Sequence, residues 1–134
     1  MVTVAISGYF DPLHVGHLEY MKLSRQLGDK LVVIVNNDKQ ANLKKGKAFM
    51  PEKERLEIVK AIRWVDEVFL SIDEDSSVCK SLVAVKPDIF TNGGDRHLDE
   101  IPEAKICREF GIELKEGMGE KIQSSSDLIS GNKS

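Results

Sequence analysis

Three short runs constrain the fold more than any other feature of this 134-residue chain: "VTVAI" (2–6), "KLVVIV" (30–35) and "PDIFT" (87–91). Each sets branched or aromatic side chains at adjacent positions instead of alternating them with polar ones. A strand of that kind is buried on both faces, as in a parallel sheet with helices packed on either side. Two weaker strands are expected at "EVFLS" (67–71) and "IELKE" (112–116).

Segments of helical period lie between these runs. Residues 15–27 carry Tyr20, Leu23 and Leu27 along one face, with Gly28 as the expected stop. Residues 51–63 open with Pro51 and acidic residues, which suit a first turn. Residues 76–85 and 102–110 read as helices, and "SSSDLIS" begins a short last one. Strand alternating with helix predicts an α/β fold: a single Rossmann-like domain with a parallel five-stranded sheet and helices on both faces. The domain is expected over 1–130, with 131–134 a frayed tail.

Composition removes several classes of function. The net charge of −3 offers no basic excess for a nucleic-acid backbone, so affinity for anions has to be local. No apolar run approaches the roughly 18 residues of a membrane span. The start "MVTVAIS" lacks the charged flank and length of a signal peptide. Cys79 and Cys107 stand far apart in no metal-binding pattern and fit a reducing compartment, so a cytoplasmic protein is expected.

In a sheet of this type ligands bind beyond the carboxyl ends of the strands. That rule selects four loops, 7–14, 36–50, 92–100 and 117–125, and the unusual residues fall in them. The first, "SGYFDPLHVGH", places Gly8 after a strand and His14, Gly16 and His17 at the start of a helix. A helix amino terminus attracts phosphate, and two imidazoles there add donors. Two other readings stand beside that one. The histidines can simply cap the helix, or with Asp11 they form a partial ligand set, short of the four that a closed zinc site takes. The second loop carries Lys44, Lys45 and Lys47, either a solvated basic run or cations over a phosphate crevice. Arg55 has Glu52 three residues before it, and Arg63 has Asp66 and Glu67 just after it, so helix-surface pairing competes with phosphate binding. "NGGD" (92–95) permits close approach of backbone to a ligand, and "SSS" (124–126) caps a helix.

The motif "GYFDPLHVGH" resembles the H-x-G-H signature of the nucleotidyltransferase superfamily of α/β-phosphodiesterase type. The likeness continues through "LGDKLVVIVNND", "KKGKAFMPEKERLEIVKAIRWVDEV", "KPDIFTNGGD" and "IQSSSDLI", in order along nearly the whole chain. It is strongest to the branches containing glycerol-3-phosphate cytidylyltransferase and the adenylyltransferase half of ADP-heptose synthase. What the resemblance implies is attack by an acceptor phosphate oxygen on the α-phosphorus of ATP or CTP. Pyrophosphate then leaves, and a magnesium ion accompanies the triphosphate.

It also implies roles. His14, His17 and Lys44 become the catalytic residues, and Gly8, Tyr9, Phe10, Gly16, Gly94, Asp95, Ser124, Ser125 and Ser126 bind nucleotide. Asp11, Asp38, Lys45, Arg55, Arg63, Arg96 and Lys121 become acceptor or phosphate contacts. The lead-in "GEKIQ" departs from the Arg-Thr-Glu-Gly-Ile of the cytidylyltransferases, which leans the expectation toward ATP and puts Lys121 where an arginine would stand. The expected acceptor is a phosphorylated sugar, polyol or similar small molecule, and the expected assembly is a homodimer. A nucleotide-binding sensor of the same fold, without turnover, is the alternative.

Overall fold

The computed structural model describes residues 1–10, 13–45, 50–92 and 102–116. Five parallel strands form one sheet in the order β3-β2-β1-β4-β5. They are β1 (Thr3–Gly8), β2 (Lys30–Val35), β3 (Glu67–Leu70), β4 (Ile89–Asn92) and β5 (Glu113–Glu116). The helices are α1 (Val15–Arg25), α2 (Asp38–Lys45), α3 (Glu52–Lys60), α4 (Cys79–Val85) and α5 (Pro102–Phe110). The α/β fold read from the sequence is the fold observed. No described helix is long and apolar enough to cross a membrane.

The adjacent apolar residues split between two cores, as strands buried on both faces require. Val4, Ile6, Leu31, Val33, Val35 and Ile89 pack on one face with Met21 of α1 and Val59 of α3. Ala5, Ile34 and Phe90 face the other way, against Leu82 of α4 and Cys107 of α5. From β1 the chain steps to β2 and β3 on one side and to β4 and β5 on the other. The crevice of a switched α/β sheet therefore opens between the carboxyl ends of β1 and β4.

Several boundaries differ from the sequence reading. Ser7 and Gly8 continue β1, in register with Ile34 and Val35, so the first loop begins at Tyr9. Helix α1 ends at Arg25 with Gln26 as its right-handed cap, and Gly28 serves a different purpose from a helix stop. A Cβ on Gly28 would lie 2.7 Å from the Val2 carbonyl oxygen. The largest difference is α2, which occupies part of the expected 36–50 loop. The Asn37 Oδ1 accepts the Gln40 N–H at 2.8 Å, and the Gln40 Oε1 accepts the Asn37 N–H at 3.0 Å. This reciprocal cap nucleates a helix whose polar sequence shows little apolar period.

Candidate active site

The amino terminus of α1 is built by its two histidines. His14 is the N-cap in extended conformation (φ −143°, ψ 178°), and its Nδ1 accepts the Gly16 N–H at 3.0 Å. The Nδ1 of His17 reaches back to accept the His14 N–H at 3.1 Å. An imidazole that accepts at Nδ1 carries its proton on Nε2 when neutral. Both rings therefore turn an Nε2–H donor away from the cap. They stack with centroids 3.9 Å apart. Burial, and then the neighbouring His14, push the His17 pKa down to about 4, so His17 is a neutral donor at physiological pH.

Beneath the pair, the Phe10 ring meets His17 edge-on at 4.9 Å and is buried in the core. Phe10 adopts a left-handed backbone (φ 52°), held there by its buried ring. Gly8 lies against the same ring, and a Cβ at Gly8 would come within 2.7 Å of Phe10 Cζ. Gly8 and Phe10 thus shape the floor under the histidines, and only the backbone of Phe10 is left to meet a ligand. On its other side α1 is tied to β4. Tyr20 donates to the Thr91 carbonyl at 2.7 Å, and Ser24 shares a hydrogen bond with the Thr91 hydroxyl at 3.0 Å.

Arg55 is placed differently from either expectation. It is fully buried and leaves Glu52 unpaired with it. Its guanidinium donates to the carbonyls of Met50 (2.9 Å), Tyr9 (2.9 Å) and Asn36 (2.6 Å), and to Asp38 Oδ1 (2.6 Å). It clasps together the turns leaving β1 and β2 and the start of α2. Glu52 instead accepts the Asp38 N–H at 2.8 Å, which caps α2. Asp38 is therefore held by this clasp. Arg63 lies at the opposite end of the sheet, because α3 stops at Lys60 and the turn into β3 runs along the amino edge. Its guanidinium sits 5.2 Å from the Trp64 ring centroid. Asp66 pairs with Arg25 at 3.0 Å and Glu67 with Lys30 at 3.1 Å, so neither neighbour takes Arg63.

Lys44 and Lys45 stand in the last turn of α2, with their side chains outside the described part. Asp11, Gly94, Asp95, Arg96, Lys121, Ser124, Ser125 and Ser126 lie outside the described residues. Among the described residues no three His, Cys, Asp or Glu side chains form a group able to hold a metal ion.

Asn37 and Gln40 organise the crevice without having been singled out in the sequence. The Asn37 amide donates to the carbonyls of Ser71 (2.9 Å) and Asp73 (3.0 Å). The Gln40 amide donates to those of Asp75 (2.6 Å) and Ser77 (2.7 Å). The cap of α2 thus fixes the loop after β3. The available signal was the pattern N-x-x-Q opening "NDKQ". Between that loop and β1 lies a cleft of about 610 Å³, lined by Tyr9, Leu43, the 75–77 turn and the start of α5 at Pro102 and Glu103.

The site therefore combines a pair of outward imidazole N–H donors at a helix amino terminus with an adjoining cleft at the carboxyl edge of the sheet. The sequence pattern of the cytidylyltransferase-like family matches residues 5–129. The chain belongs to the cytidylyltransferase-like family. Its curated relatives include the FAD synthase of Picrophilus torridus, 36% identical over 93% of this chain and 91% of that protein. The FAD synthase of Methanoculleus marisnigri is 38% identical over 96% of this chain and 87% of its own length. Among solved structures, a lipopolysaccharide core biosynthesis protein from Thermoplasma volcanium superposes with a TM-score of 0.74 at 32% identity, covering 87% of this chain and 95% of that one. This cytidylyltransferase-like chain is a nucleotidyltransferase, an enzyme that binds nucleotide.

Proposed function

We propose that the chain transfers the adenylyl group of ATP to FMN, forming FAD and releasing pyrophosphate. The observation that carries this reading is the close similarity to FAD synthases over nearly their full length, joined to a histidine pair whose outward donors suit a triphosphate. FMN bears its phosphate on a ribityl chain, but its three-ring flavin sets it apart from the small sugar or polyol phosphate that the sequence suggested.

In the reaction an oxygen of the FMN phosphate attacks the α-phosphorus of ATP as the bond to the β-phosphate bridging oxygen breaks. Such a transfer asks the protein for position and charge stabilisation more than for a nucleophile. The two Nε2–H groups donate to phosphate oxygens where negative charge builds on the leaving pyrophosphate. Because the backbone occupies Nδ1 in both rings, the donors are oriented before the nucleotide arrives. Lys44, at the end of α2, is the residue proposed to neutralise the leaving group. A magnesium ion bound with the ATP would supply screening of the triphosphate charge, beside the histidine donors and Lys44.

The Thermoplasma volcanium neighbour, by its description, favours a second reading in which the acceptor is a phosphorylated sugar. One assay separates the two. The protein is mixed with Mg²⁺, ATP or CTP, and either FMN or a panel of sugar phosphates, and products are resolved by chromatography. FAD from ATP and FMN is the expected outcome. Pyrophosphate released with a sugar phosphate, and no FAD with FMN, overturns the proposal.

A further inference from the structure

We propose that the cleft between Tyr9, Leu43 and the 75–77 turn is the acceptor subsite, and that it takes the uncharged ring system of the flavin. The inference rests on the FMN reading above. The volume of about 610 Å³ falls within the roughly 300–1,000 Å³ of small-molecule sites. A three-carbon polyol phosphate would leave most of that space to water, whereas a fused three-ring system occupies it.

Position supports the assignment. Tyr9 lines the cleft while Phe10, the next residue, lies under His17. Leu43 lines it while Lys44 follows directly in α2. The cleft and the proposed transfer site are therefore one residue apart along two separate elements. The cleft opens at the heads of α4 and α5, across the sheet edge from the head of α1, where the histidines stand. In-line displacement needs the acceptor and the leaving pyrophosphate on opposite sides of the α-phosphorus, and this arrangement supplies two such sides.

Charge sets the orientation. The described walls carry Asp75 and Glu103 and no cation. A phosphate dianion is repelled from such walls. A neutral ring with N–H donors is accepted, between the Tyr9 ring and the apolar surfaces of Leu43 and Pro102. The flavin thus enters ring first, with its ribityl phosphate left at the mouth, facing the histidines. Rigid carbonyl anchoring of the 75–77 turn by Gln40 keeps that wall in place before the ligand arrives.

The test uses the full chain with Ser76→Trp, which fills the cleft from an exposed position, and Leu43→Ala, which trims an exposed wall. Ser76→Trp is expected to raise the KM for FMN about tenfold or more, and Leu43→Ala about threefold, in each case well beyond any change in the KM for ATP. Riboflavin, which has the ring but no phosphate, is expected to compete with FMN in the wild type and to lose that ability in Ser76→Trp. An unchanged KM for FMN in both variants overturns the cleft assignment while wild-type FAD formation leaves the function standing. A rise in the KM for ATP instead, with adenosine as the competitor that is lost, overturns it in favour of a nucleoside pocket. Absence of FAD from the wild type itself overturns the function, and the flavin assignment with it. Should Ser76→Trp fail to fold, Leu43→Ala decides alone.

Discussion

Replacing Arg55 by methionine tests the clasp directly, because sequence and structure expect different results from it. The side chain is fully buried and serves three carbonyls and one carboxylate. Removing one partner of a buried ion pair costs about 3–5 kcal/mol. Asp38 is 39% exposed, so water can take over its oxygen and the pair itself falls at the lower end. The carbonyls of Tyr9, Asn36 and Met50 each lose a charged donor, normally worth about 1.5–3 kcal/mol apiece but far from additive within one network. A net cost of about 4 kcal/mol follows, a large share of the roughly 5–15 kcal/mol that holds a domain together. In a domain of this size that lowers the Tm by roughly 10–15 °C.

The assay is a thermal melt of wild type, Arg55→Met and Arg55→Lys, paired with steady-state kinetics. Lysine offers a single ammonium in place of a planar fork, so Arg55→Lys recovers only part of the stability. The clasp also sets the turn after β1 and the start of α2, so kcat falls alongside Tm. A phosphate ligand would behave otherwise, with an unchanged melt and a raised KM for ATP. That outcome, with Tm within about 2 °C of wild type, refutes the structural role assigned to Arg55.

His14→Asn separates the cap from the chemistry: asparagine still accepts at the N-cap, so stability should stay within about 0.5 kcal/mol, while loss of the Nε2–H should lower kcat by about 10²–10³ in melts and turnover assays. An NMR titration should place the His17 midpoint at about 4 in the free protein, well below the ordinary 6.5. The folded state then refuses a proton that the unfolded chain accepts between those values, so stability should fall as pH drops from 6.5 toward 4, and His17→Gln should flatten that slope in denaturant melts at stepped pH.

How much of this was legible in the sequence depended on how far apart the cooperating residues lie. The strands were readable because Leu31, Val32, Val33, Ile34 and Val35 are buried on both faces, and such burial leaves a continuous apolar trace. Helix α2 left no such trace. Its stability comes from the Asn37–Gln40 cap and from Arg55 and Glu52, which arrive from α3. Arg55 was misread for the same reason. Its partners are the carbonyls of Tyr9 and Asn36, 46 and 19 positions away, and a carbonyl has no signature in the amino-acid code. The position of Arg63 could have been rejected from sequence, since a residue between a helix and the next parallel strand lies at the amino edge, opposite the crevice.

The histidine pair shows a subtler limit. Capping and anion binding stood as rival readings of "HVGH", yet the structure satisfies the first by a geometry that enables the second. An imidazole has two nitrogens, and each competing account needs only one of them. The backbone claims Nδ1 of His14 through Gly16 and Nδ1 of His17 through His14. That claim forces the neutral tautomer with its proton on Nε2, the donor a phosphate oxygen requires. It also explains the spacing. The reciprocal cap needs residues at the N-cap and three places later, and only that separation lets the second ring reach back to the first amide. A serine and a glutamate would cap the helix as well but would leave no outward donor pair, so histidine at both ends of the box is what gives this helix start the two outward donors on which the proposed triphosphate contact rests.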